Sequence, residues 1–365
     1  MPATSEQLGC SLKIGVVDLF CGVGGLSLGL KDSGMSILAG IDIDELCRLP
    51  FERNVGSTFV ERDVADVTEA EIASLFQGVN IRVLAACAPC QPFSGYTTRR
   101  QSSDDRWRLL LEVLRLTSGV RPELITVENV PRLSRLPLWT RFVSQLADLG
   151  YHLSWKVLDS SEYGVPQRRL RLVLVASLLG PIDLAGLRKS SKTSVRDAIS
   201  HLPPIEAGQR NNVDALHSAR ALTPRNLKRI RASRPSGTWK EWPKKLRAEC
   251  HTRSTGQTYP SVYGRMSWEQ PAPTMTTQFY GFGNGRFGHP DQDRAITLRE
   301  GAILQSFPET FVFLEPHVKR INFRAIGRLI GNAVPPKLVS SIGEFLVAHA
   351  TSSAGAFSRK SSASK

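Results

Sequence analysis

From residue 13 to about residue 177 the chain alternates short apolar runs with amphipathic stretches. Seven runs, at 14–20, 37–43, 58–63, 82–88, 124–128, 154–158 and 170–176, have the length of strands and are bounded by turn residues. The stretches between most of them repeat apolar positions at helical spacing. Strands alternating with helices in this way predict an α/β fold whose core is a doubly wound, mostly parallel sheet. Ligands of such sheets bind beyond the carboxyl ends of the strands, so the residues just past each run become the candidates for chemistry.

The pattern breaks at about residues 179–187. Residues 190–294 are rich in Pro, Gly, Ser and basic side chains and only weakly periodic, which predicts a second, smaller domain. Helical periodicity returns at 297–304 and again over 323–349. The expected organisation is a tail at 1–12, a large catalytic and cofactor-binding domain at 13–186, and a small domain at 187–318. A segment at 319–350 then completes the large domain. The Ser/Ala/Lys-rich end, 351–365, carries too little apolar content to fold and is expected to be disordered.

Composition narrows the class. The longest apolar runs fall far short of the ~20 residues of a membrane-spanning helix, and residues 1–12 lack a basic region followed by an apolar one, so no membrane is expected and the location is expected to be cytoplasmic. Six cysteines, at 10, 21, 47, 87, 90 and 250, are too sparse for a disulfide framework in 365 residues. Cys87 and Cys90 form a C-x-x-C with no second pair or histidine cluster to complete a zinc site, so no metal is expected; a redox dithiol stays open. The net charge of +14 implies an anionic partner. Residues 205–270 hold 13 Lys or Arg against 5 Asp or Glu, interleaved with Trp239, Trp242, Tyr259, Tyr263 and Trp268. That mixture suits phosphate neutralisation with contacts to sugars and bases, and the alternative is a solvated basic surface.

Candidate chemistry gathers at the run ends. Cys90 lies where the fourth run gives way to a polar loop beside Arg99, Arg100, Arg106 and Arg108. A thiolate nucleophile needs partial exposure and positive neighbours of this kind, although a buried cysteine would read the same locally. Asp18-Leu-Phe-Cys-Gly-Val-Gly-Gly25 follows the first run and opens a helix. Gly22, Gly24 and Gly25 permit a tight turn and close ligand approach, a feature that serves NAD, FAD and S-adenosylmethionine alike; the third glycine of the dinucleotide fingerprint is missing. Asp42 and Asp63 end the second and third runs and outline a nucleoside pocket, or serve as caps. Glu128-Asn129-Val130 ends the fifth run, next to Cys90 if the sheet is wound as argued. In Gln167-Arg168-Arg169-Leu170-Arg171, alternation puts Arg169 and Arg171 on one face, either to fix Glu128 or to blunt an edge strand. Gly331 and Asn332, within Ile330-Gly-Asn-Ala-Val-Pro-Pro336, look like turn and N-cap chemistry for the helix that follows.

Taken in order, these segments resemble the motif series of the DNA (cytosine-5) methyltransferases. The carriers are Asp18 to Gly25, Pro89-Cys90-Gln91, Glu128-Asn129-Val130, Gln167 to Arg171, the Arg-Glu helix at 297–308, and Gly331 to Pro336, together spanning about 13–349. The resemblance implies the Rossmann-like sheet of S-adenosylmethionine-dependent methyltransferases, with residues 187–318 as a target-recognition domain. It implies S-adenosylmethionine as cofactor, with Phe20 on the adenine, Asp42 on the ribose, Asp63 on the adenine amino group, Asn332 near the methionine portion, and Pro89 and Leu109 lining the same pocket. Trp107 and Arg108 depart from the small residues usual after Asp105-Arg106, which weakens the transfer to Leu109.

The activity implied is methyl transfer to C5 of a cytosine in double-stranded DNA. Cys90 would add to C6 and Glu128 would protonate N3, while Arg171, supported by Arg169, would hold the base carbonyl. Reaching a stacked base requires flipping it out. The loop 91–105, with Gln91, Ser94, Arg99 and Arg100 as DNA contacts, is the expected lid and wedge. A bacterial protein acting as a monomer is expected, working beside a cognate restriction endonuclease without binding it and associated with the nucleoid through DNA. The alternative within the family is a tRNA cytosine-5 methyltransferase, which the long basic insert argues against. A silent DNA-binding relative would have no need of Cys90, Glu128, Arg169 and Arg171 together.

Overall fold

The computed structural model describes residues 12–89, 108–253, 260–315, 318 and 320–362. The strands are β1 (Ile14–Leu19), β2 (Ser36–Asp42), β3 (Thr58–Glu61), β4 (Ile81–Ala86), β5 (Leu124–Asn129), β6 (His152–Asp159) and β7 (Leu170–Ser177). All seven apolar runs become strands, within one or two residues at most ends. Helices α1 (Gly25–Asp32), α2 (Arg48–Val55), α3 (Glu69–Leu75), α4 (Arg108–Val120) and α5 (Pro137–Asp148) fall between them. Beyond the sheet come α6 (Val195–Ile199), α7 (Pro224–Arg231), α8 (Glu249–Thr252), α9 (Leu298–Leu304), α10 (Phe323–Asn332) and α11 (Pro336–Ser362). Among the described residues no helix is long and apolar enough to cross a membrane.

The strands form one sheet in the order β3-β2-β1-β4-β5-β7-β6. Neighbours from β3 to β5 run parallel. Only β7 is reversed, antiparallel to both β5 and β6. The chain departs from β1 in both directions, so the order switches between β1 and β4, where an open α/β sheet leaves a crevice. Alternation along the strands sorts side chains to two faces. Val16, Val83 and Val173 pack with α1 and α11. Val17, Leu84 and Leu174 pack with α3, α4 and α5. Both faces are covered, so these strands read as continuous apolar runs rather than as alternating ones.

Three expectations change. The segment 187–318 does not pack around a single core of its own: part of it joins a core of the large domain, and part forms a small cluster drawn wholly from its own residues. Val195, Met275, Phe279 and Leu298 share one apolar cluster with Val23, Phe51 and Phe59 of the large domain, and a smaller cluster lies around Ile230, Trp239, Trp242 and Phe282. The periodic stretch at 323–349 is two helices, because Pro335 and Pro336 cannot continue α10 but suit the first turn of α11. The backbone of α11 also runs on to Ser362, into the tail expected to be disordered. Once a helix is nucleated, each further residue adds a hydrogen bond for one residue fixed, and Ala, Lys and Arg resist that little.

Candidate active site

The cleft begins at the turn after β1. Phe20 takes a left-handed conformation, φ 58°, which a bulky side chain adopts only where its surroundings enforce it. Its half-buried ring packs on the face of the sheet shared with α3 and α4. Gly22, at φ +52°, has open space where a Cβ would point, so a ligand can approach its backbone closely. Gly24 caps α1 in the left-handed region. At Gly25 a Cβ would stand 2.3 Å from the Val334 carbonyl, so only glycine lets α1 meet the segment linking α10 and α11.

Asp42 holds this turn. Its Oδ2 accepts the Gly22 N–H at 2.9 Å and its Oδ1 the Asp44 N–H at 2.9 Å. Burial raises the pKa of Asp42, and these two backbone donors act against that rise. Asp44 in turn pairs with Arg328 of α10 at 2.5 Å. Ile43, beside Asp42, is 67% exposed, a large apolar side chain open to a planar ligand that sequence reasoning passed over. Asp63 caps a short turn, accepting the Ala65 N–H at 3.0 Å. It follows the neighbouring strand end, where its described contact is that of a capping residue, the alternative named for it above. Beneath the turn, Asp18 is fully buried; Ser27 Oγ donates to its Oδ2 at 2.6 Å, and burial raises its pKa to about 7. Among the described residues, its buried Oδ1 has no hydrogen-bond partner.

The register of β4 on β5, Ala86 opposite Val127, sets Cys87 beside Glu128 at the same strand ends. Cys87 Sγ donates to Glu128 Oε2 at 2.9 Å. Arg171 Nε stands 2.7 Å from Glu128 Oε1, with both side chains largely buried. Asn129 Nδ2 donates to the Ala88 carbonyl at 3.1 Å, tying together the two chain segments that leave the sheet. Arg171 reaches this edge because β7 is reversed, which brings its first residues to the carboxyl ends of its neighbours. The edge-strand alternative for these arginines does not hold, since β7 lies between β5 and β6.

Arg169 is fully buried and works differently from the expected partner of Glu128. It donates to the carbonyls of Met275 at 2.9 Å, Gly331 at 3.0 Å and Ala333 at 3.3 Å. Burial, and then Arg171, lower its pKa. Gln167 does related work, donating to the Leu304 carbonyl and the Gln305 side chain and accepting the Met275 N–H. These contacts fasten the sheet edge to α9 and α10. Asn332 is exposed in the last turn of α10 and Gly331 is buried beside it, so neither caps the following helix. Pro89 is exposed at the mouth and Leu109 half-buried in the first turn of α4. Cys90, Gln91, Ser94, Arg99 and Arg100 lie outside the described residues.

Two of the aromatic residues of the basic segment face inward. Trp239 and Trp242 are each 2% exposed and stack around His251 and Tyr263, and Trp268 packs against the main core. Two of the segment's cations also turn inward: Arg229 donates to the Leu246 carbonyl, and Arg265 to those of Ile230, Ser233, His289 and Gln292. Tyr259 lies outside the described residues. Arg210, Arg220, Arg225, Lys228, Lys244 and Lys245 remain exposed. Among the described residues no group of three His, Cys, Asp or Glu could hold a metal ion.

The model of the C-5 cytosine-specific DNA methylases matches residues 14–348. The Type II methylase M.HgiDII of Herpetosiphon aurantiacus is 43% identical over 340 residues, covering 91% of this chain and 95% of the relative. The Type II methyltransferase M1.BsuMI of Bacillus subtilis is 31% identical over 348 residues, covering 89% and 78%. Among solved structures, one described as a DNA modification methyltransferase encoded within an E. coli prophage superposes with a TM-score of 0.72 at 22% identity, over 93% of this chain and 100% of that one. DNMT2 of Spodoptera frugiperda does so with 0.62 at 18%, over 92% and 100%. At such identities the superpositions establish the methyltransferase fold alone.

Proposed function

This chain belongs to the C-5 cytosine-specific DNA methylase family and is a DNA cytosine-5 methyltransferase; from that premise we propose that it methylates a flipped-out cytosine within a specific duplex sequence through a covalent bond from Cys90 to C6, protecting DNA in a Type II restriction-modification system. The observation that carries the reading is Glu128, held between Arg171 and Cys87 at the strand ends beside the glycine turn.

Cytosine C5 is a poor nucleophile. Addition of the Cys90 thiolate to C6, with a proton passing from Glu128 to N3, makes C5 an enamine carbon that can accept a methyl group. S-adenosylmethionine, when bound, supplies that methyl as an electrophile. Loss of the C5 proton re-forms the C5–C6 double bond and expels Cys90 as thiolate, and the N3 proton returns to Glu128. Arg171 keeps Glu128 oriented and faces the base carbonyl. Arg169 holds the arginine strand against the Gly331–Ala333 backbone, so its part in the reaction is positional.

The residues at the turn fit S-adenosylmethionine. The open space over Gly22 admits a ligand against the backbone, Asp42 retains lone pairs for ribose hydroxyls, and Phe20 and Ile43 offer apolar surface to adenine. The unpartnered Oδ1 of Asp18 adds a negative or proton-holding group under a cationic ligand. Asp63, Pro89, Leu109 and Asn332 complete the pocket in this reading.

The test is trapping. In duplex DNA carrying 5-fluorocytosine, fluorine stands where the C5 proton would be and cannot be removed by a base. The elimination that expels the thiolate is then blocked, so incubation with S-adenosylmethionine should leave a covalent adduct, which peptide mass places on Cys90. Cys90→Ser should abolish both adduct and turnover while cofactor affinity is kept. An adduct on tRNA but not on duplex DNA, or on another cysteine, would overturn the proposal.

A further inference from the structure

We propose that Cys87 is a positioning residue for the methyl-transfer reaction, its thiol setting the orientation of Glu128. This rests on the reading of Glu128 as the group that protonates the base. Cys87 is fixed on both sides. Its backbone N–H donates to the Leu19 carbonyl of β1 at 3.3 Å, and its Sγ donates to Glu128 Oε2 at 2.9 Å. The parallel register that pairs Ala86 with Val127 makes this contact a consequence of the sheet rather than of a flexible loop. Arg171 takes the other oxygen, Oε1, at 2.7 Å. Among the described residues, the charged or titratable groups facing the carboxyl are Cys87, just past β4, Arg171 of β7, and the buried Arg169 just before β7.

The choice of a thiol has a physical consequence. Two strong donors would hold Glu128 as a carboxylate, unable to give a proton. S–H is a weak donor, so it satisfies Oε2 while the site waits and yields it when a ring nitrogen arrives. The guanidinium fixes the carboxyl in the cleft and the thiol sets its rotation. No bond forms to Cys87; it acts through Glu128.

The experiment compares Cys87→Ala with Cys87→Ser in the full chain, on unmethylated genomic DNA with radiolabelled S-adenosylmethionine. Losing the donor should lower kcat about tenfold, the size of one hydrogen bond from a weak donor to a charged group. KM for DNA and affinity for S-adenosylmethionine should stay within about twofold. A donor to a carboxylate favours the ionised form, so its loss should also move the alkaline fall of kcat/KM to higher pH. Cys87→Ser keeps a donor, but a stronger one, so it should recover most of the rate below neutral pH while moving the alkaline fall to lower pH than in the wild type. The isosteric pair Cys87→Val and Cys87→Thr repeats the comparison should alanine disturb folding.

A wild-type rate and pH profile in Cys87→Ala or Cys87→Val would overturn the inference. So would equal losses in the donor and non-donor variants with an unmoved pH profile, which would mark Cys87 as packing only. Glu128→Gln run in parallel separates the layers: full activity there removes the underlying reading, whereas an inactive Glu128→Gln beside a wild-type-like Cys87→Ala removes this inference alone.

Discussion

Asp18 sits in the fold at a cost to stability that depends on pH. It is wholly buried, has one hydroxyl donor on one oxygen and none on the other, and burial raises its pKa to about 7. The folded state then binds a proton more tightly than the unfolded chain, so this group makes stability fall as pH rises from about 4 to about 7, with no further change above. Asp18→Asn should remove that slope, which is worth about 4 kcal/mol at most. Urea unfolding at pH 5 and pH 8 measures it: the gap between the two pH values should shrink in the variant, and an unchanged gap would refute the assignment. Glu128 stood out in the sequence as a polar residue ending an apolar run, and Asp18 only as the first residue of the glycine-rich segment. Their partners did not, because Ser27 is ordinary helix sequence and Cys87 reads as half of a metal or redox pair.

Among the elements, α1 and the α10–α11 link meet in close backbone contact beside the cleft. Gly25 meets Val334 there, and Arg169 reaches across from β7 to the neighbouring carbonyls of Gly331 and Ala333. Gly25→Ala would put a methyl 2.3 Å from a backbone oxygen, and backbone on both sides resists moving. S-adenosylmethionine affinity should fall at least tenfold in this variant, read by isothermal titration, with a melting temperature several degrees lower, as expected for roughly 1–3 kcal/mol of overpacking. Unchanged affinity would mean the turn does not form the pocket wall. The glycines were legible as a tight turn opening a helix. That Gly25 is needed for a neighbour 309 positions away in the chain was not, since spacing carries no information about which distant backbone arrives.

For the molecule as a whole, the net charge of +14 meets an anionic substrate, but the structure redistributes its roles. Arg229 and Arg265 serve buried carbonyls, Trp239 and Trp242 make a small core, and cations such as Arg225, Lys244 and Lys245 stay at the surface. Phosphate neutralisation by the exposed set releases counterions, so duplex affinity should fall roughly a thousandfold between 50 and 200 mM salt if about six phosphates are met. Fluorescence anisotropy on a labelled duplex reads this directly. A flat salt response would show that the basic segment is a solvated surface and not a DNA contact.

What the sequence by itself determined was every strand of the sheet, the glycine turn, and the identity of the carboxylate and arginines at the strand ends. Those features are local: apolar runs, turn residues and short motifs are set by neighbours a few positions apart. Tertiary structure alone decided that β7 runs backwards and so delivers Arg171 to Glu128, that Arg169 serves carbonyls instead, and that Gly331 and Asn332 close one helix rather than open the next. It also turned the tryptophans of the basic segment inward and set Cys87 against Glu128. Strand direction, burial and register depend on which surfaces are covered by segments far away in the chain, and on the need of each buried polar group for a partner.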